Sequence, residues 1–155
     1  MYTKKELIID ERLNEILGEV YDMKLFSNLK FNRVDIKAYY TENIYGDDNF
    51  DIRESTPVEA HFVGCDVIIY INSEYDGKWR DIELKSVLAH ILRLIDVSWS
   101  GDKPKINIDI KRKNVVDYEV MELFGDNNPF YSEFIHKAQN LGDVPPIDDQ
   151  YFPRN

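Results

Sequence analysis

Cysteine is almost missing from this chain. Cys65 stands alone among 155 residues. No disulfide can form within the chain, which points to a reducing, cytoplasmic setting. Histidine is scarce too, with only His61, His90 and His136. That limits metal chemistry, because a catalytic zinc needs about three protein ligands. No apolar run approaches the roughly 18 residues that cross a bilayer, so no membrane association is expected. Residues 1–13, MYTKKELIIDERL, interleave charges with apolar side chains and lack the continuous core of a signal peptide. A Gly-rich phosphate loop and a G-x-S-x-G elbow are both absent, which removes two common catalytic frameworks. Repeats, low-complexity tracts and linkers are lacking as well. The expectation is one globular domain over residues 1–142, then an acidic, Pro-containing tail over 143–155.

Positive charge is also in deficit. Lys and Arg number 19 against 29 Asp and Glu, for a formal net charge of −10. A chain this acidic repels phosphates, so direct nucleic-acid binding is not expected. A protein partner is compatible with it, and so is a simply well-solvated surface. What remains is a globular composition, 43% hydrophobic and 31% charged.

The hydrophobic pattern predicts an α+β domain. Residues 4–22 read as a helix, with Ile9, Leu13, Ile16, Leu17 and Val20 on one face and a Thr3/Glu6 capping box before it. Gly18 weakens that helix by about 1 kcal/mol relative to Ala. Residues 34–42 alternate as a half-buried strand, and residues 57–64 as a second. The β-branched run at 66–72 predicts a strand buried on both faces, hence central. Residues 105–111 predict an edge strand guarded by charge. Residues 114–124 predict a short helix ended by Gly125, and another starts at Pro129. The expected fold is therefore a small, mostly antiparallel sheet of three to four strands, arranged as a meander, against a long central helix.

That helix lies within residues 79–99, WRDIELKSVLAHILRLIDVSW. Leu84, Val87, Leu88, Ile91, Leu92 and Ile95 recur at helical spacing. His90 sits beside them. A zinc protease would have His-Glu-x-x-His here, but Ile91 holds the Glu position and Leu94 that of the second His. One turn before His90 stand Ser86 and Val87, which are not zinc ligands. Ligand counting thus predicts a histidine packed at the rim of the core, with no bound metal, no cofactor and no catalytic residue. Cys65, at the mouth of a buried strand, reads as inert. In the loop 43–55, Asp47, Asn49 and Asp51 open like a calcium loop, but Ile52 replaces the required Gly and Val58 the closing Glu.

The order of these elements over residues 13–125 resembles the putative phage metallopeptidase family, small zincin-like proteins of tailed bacteriophages. The resemblance rests on an N-terminal helix, a hydrophobic strand like 66–72, Trp79, the helix bearing His90, and a helix ending at Gly125. In active members a further His before the last helix is the third ligand. Residues 112–118, RKNVVDY, contain none. The resemblance implies a zincin-like fold and a phage origin, in the host cytoplasm or in the virion, and argues against hydrolytic activity. The expected role is that of a pseudoenzyme that binds another protein. Its candidate contact residues are Asp47, Asp48, Asp51 and Glu54 in the acidic loop, and Tyr151 and Phe152 in the tail. Two alternatives stay open: a metal-dependent hydrolase with a non-standard site at His90, and an acidic DNA mimic that occupies a nucleic-acid-binding protein.

Overall fold

Asp10 decides where the first helix starts. Its side chain accepts from the Leu13 amide at 2.9 Å and caps α1, Glu11–Tyr21. This cap stands immediately before the apolar stripe, so the helix begins there and not at residue 4. Leu7–Ile8 instead form a short strand, β1. The computed structural model describes residues 7, 8, 10–42, 44 and 48–140. The Thr3/Glu6 capping box and Ile9 lie outside the described residues, as do Asp47, Tyr151 and Phe152.

The remaining elements are α2 (Ser27–Phe31), β2 (Ile36–Thr41), β3 (Phe50–Glu54), α3 (Pro57–Val63), β4 (Val67–Asn72), α4 (Asp81–Leu92), β5 (Ile95–Ser100), β6 (Lys103–Ile108), α5 (Tyr118–Phe124) and α6 (Tyr131–Asn140). The fold is α+β. The main sheet has the order β1-β2-β4-β3, and β5 and β6 form a separate hairpin. β4 is central, as its β-branched run predicts, and all of Val67, Ile68, Ile69, Tyr70 and Ile71 are buried. β2 and β4 run parallel, in the register Ile36↔Val67 to Thr41↔Asn72, while β1 and β3 are antiparallel to their neighbours. The sheet is therefore mixed and is not a meander. The connection from β2 to β4 carries β3 and α3, the length a parallel crossover needs.

Several further element expectations fail, most for a local reason. Residues 57–64 form a helix where alternation predicts a strand. Thr56 and Glu59 make a reciprocal capping box, Pro57 opens the helix, and Gly64 closes it in the left-handed region at φ 75°. Loop 43–55 contains β3, because Phe50 and Ile52 alternate with charged neighbours and are buried against β4. The helix expected within residues 79–99 stops at Leu92. Ile95 and Val97 continue the apolar pattern as β5, which turns at Gly101, φ 65°, into β6. Finally, Tyr118 and not residue 114 opens α5, and Tyr131 and not Pro129 opens α6.

One face of the sheet carries the main core. Leu13, Ile16, Leu17 and Val20 of α1 pack with Leu84, Val87, Leu88 and Ile91 of α4 over Ala38, Tyr40, Val67, Ile69 and Ile71. The other face is thinner, with Cys65, Ile68 and Tyr70 beside Tyr39, Ile44 and Val63. α3 covers it, tied down by Arg53, which pairs with Glu59 through both carboxylate oxygens.

Candidate functional site

His90 points into the core, not along its rim. It is 2% exposed. α4 aims it at two later segments of the chain. Its Nδ1 lies 2.7 Å from Tyr131 Oη, and its Nε2 lies 2.7 Å from the Lys113 carbonyl. A carbonyl only accepts, so Nε2 carries the proton and donates it. Nδ1 then holds the lone pair and accepts from the Tyr131 hydroxyl. The Tyr131 oxygen also accepts from the Asp117 amide at 3.3 Å. Both ring nitrogens are thus committed. Burial holds the imidazole below its ordinary pKa, against the bond to Lys113 and the charge of Asp117. Burial likewise pushes the Tyr131 phenol up. The pair is therefore neutral near pH 7, with edge-on ring packing from Phe50 and Tyr131 around the imidazole.

Two charged clusters flank this histidine. Asp117 has a buried carboxylate that accepts from Arg93 Nε at 2.9 Å and from an Arg112 terminal nitrogen at 3.1 Å. Its other oxygen caps α5 through the amides of Glu119 and Val120. Lys113 is also buried. Its ammonium sits 3.1 Å from Asp48 and 3.8 Å from Asp51, and lies 5.2 Å from the Phe50 ring centroid. One residue thereby holds His90 with its backbone and the acidic loop with its side chain.

This placement revises several sequence expectations. Asp48 and Asp51 face Lys113 and are not a free acidic surface. Glu54 is exposed at the end of β3. The basic triplet Lys111, Arg112 and Lys113 supplies the buried Lys113. The sequence pattern assigns Asp117, Tyr131 and Lys113 no role beside His90. A cap signal at Asp117, just before Tyr118, was the only local trace. His61 is exposed on α3, with its ring against Phe62, and His136 is exposed on α6. Cys65 is buried, 3.6 Å from Ser55 Oγ, and burial pushes its thiol pKa up.

Among the described residues, no group of three His, Cys, Asp or Glu side chains is placed to hold a metal ion. None of the described helices is long and apolar enough to cross a membrane. Chemically, the His90 cluster can clamp α4 to α6 and to the segment before α5. It offers no free lone pair to a metal and no water-accessible base. No family model matches the chain, and no curated protein matches it either.

Proposed function

We propose that this chain is a non-catalytic protein that acts by binding another protein. In this reading its fold is a degenerate, zincin-like relative of the phage metallopeptidases, and the partner is a host protein or another phage component. One observation carries the proposal: the single histidine at the metallopeptidase motif position has both ring nitrogens bonded inside the protein. Loading a metal there would break the bond to Tyr131 or the bond to Lys113 and leave a buried polar group unpaired. Support for a binding role comes from the surface. α3 buries none of its residues and presents Val58 and Phe62, one turn apart, at 65% and 80% exposure. The DNA-mimic alternative loses support because Lys113 faces two of the loop carboxylates such a mimic would display.

The test is affinity capture with the full chain, followed by reconstitution of the captured complex from purified components. The expected result is a stable complex that His90→Gln leaves intact whenever the variant folds. A chelator-sensitive peptide hydrolysis that His90→Gln abolishes overturns the proposal.

A further inference from the structure

The outer edge of β2 is finished in an unusual way. In a strand, residues two apart turn their backbone groups to the same side. On β2 the side away from β4 belongs to Ile36, Ala38 and Tyr40. Tyr40 is taken by Ile8 of β1. Ala38 is taken by a side chain: its amide donates to Asn14 Oδ1 at 3.0 Å, and its carbonyl accepts from Asn14 Nδ2 at 2.9 Å. The Asn14 carboxamide thus stands where the peptide group of a neighbouring strand would be. Ile36 is next. The bond from the Val67 amide to the Asp35 carbonyl places the β4 ladder on Asp35, so the Ile36 groups face outward. Among the described residues, they have no hydrogen-bond partner.

They open onto a groove of about 530 Å³ between α1 and β2. Its apolar lining comes from Leu17, Tyr21, Val34, Ile36 and Tyr39. Gly18 also lines it, at mid-helix, where glycine costs about 1 kcal/mol relative to Ala. A Cβ at Gly18 would meet nothing within 4 Å. Packing therefore does not require the glycine, and its missing side chain widens the groove. The rim is acidic. Asp10, Glu11 and Asp35 line it, while the one lysine there, Lys37, turns its ammonium away to the Val63 carbonyl at 2.7 Å. Asp22 and Asp66 add to the negative field at the Tyr21 end and, behind burial and Asp35, help push that phenol up.

We infer that this groove receives an extended, basic segment of a partner protein, which adds to β2 as a strand at Ile36. Backbone bonding to Ile36 supplies the mode, and the acidic rim selects lysine or arginine beside a small apolar residue. The inference rests on the protein-binding reading above. An edge this short makes a weak, micromolar contact, below the area of a standard interface.

The probe is a labelled short peptide alternating lysine and valine, titrated against the full chain by fluorescence anisotropy and by amide chemical-shift mapping. Binding should shift the Ile36 amide. It should weaken roughly tenfold or more when the central peptide nitrogen is methylated or when Gly18→Met fills the groove. Gly18→Ala, which should raise the melting temperature, controls for folding. Binding that survives both N-methylation and Gly18→Met overturns the groove, because general attraction to an acidic chain then explains it. So does no binding up to millimolar peptide. A captured partner that ignores Gly18→Met overturns the groove alone and leaves the protein-binding reading standing. Chelator-sensitive hydrolysis overturns that reading instead.

Discussion

Tyr131 Oη lies 2.7 Å from His90 Nδ1, so a hydroxyl of α6 occupies the lone pair that a metal would need. This contact joins residues 41 apart in sequence. Removing the Tyr131 hydroxyl leaves His90 Nδ1 buried without its donor, and removing His90 leaves the Tyr131 hydroxyl hydrogen without this acceptor and the Lys113 carbonyl without this donor. Tyr131→Phe should cost about 1–3 kcal/mol. His90→Ala, which also opens a cavity, should cost about 3 kcal/mol or more. Urea unfolding of both variants measures this, with an unchanged slope as the check that only stability moved.

The same burial makes stability depend on pH. The His90 pKa is lowered in the folded protein, so the unfolded chain takes up the proton first as pH falls. The histidine contribution is therefore complete above the unfolded value of about 6.5 and is lost as pH drops through the folded one. Thermal melts between neutral and mildly acidic pH should show a falling midpoint, and His90→Gln should flatten it in that window. Glu59, lowered against the effect of its burial by bonds from Thr56 and Arg53, and Glu83, lowered by the Arg80 backbone, act in a separate window at lower pH.

Asp117 is the second place where one atom group serves several elements. Asp117→Ala leaves Arg93 and Arg112 without their shared acceptor and uncaps α5, and should cost about 3 kcal/mol. Asp117→Asn keeps a cap oxygen and loses the charge, so its cost should be smaller. Denaturant titration of the two variants separates cap from charge.

α3 gives a local prediction. Thr56→Ala removes half of its capping box and should cost about 1 kcal/mol. The loss should appear as faster hydrogen exchange at the Glu59 and Ala60 amides, with the β4 amides unaffected.

These four cases also show what a sequence can disclose. The Val67–Ile71 run names the central strand, because only a strand covered on both faces tolerates such a stretch. The Leu13, Ile16, Leu17, Val20 stripe names α1, and the alternation of Ile36, Ala38 and Tyr40 names β2. At residues 57–63 two signals conflict. Val58, Ala60 and Phe62 alternate like a strand, but Thr56, Pro57, Glu59 and Gly64 punctuate a helix, and the end signals win. At Leu92 the apolar period simply runs on into β5, with no Gly or Pro to mark the change. The His90 cluster was half legible. Ile91 and Leu94 stand where the metallopeptidase motif would have Glu and His, but Lys113, Asp117 and Tyr131 meet His90 only through the packing of α4, α5 and α6. No local pattern encodes that meeting.

The claim at the centre of this account is that His90 is a structural link and not a metal ligand. Long-range nitrogen–proton correlation of the His90 ring, recorded with and without zinc, tests it most directly. The account predicts a neutral ring protonated at Nε2, unchanged when zinc is added. A ring protonated at Nδ1, or a ring nitrogen that shifts on stoichiometric zinc binding, would contradict it.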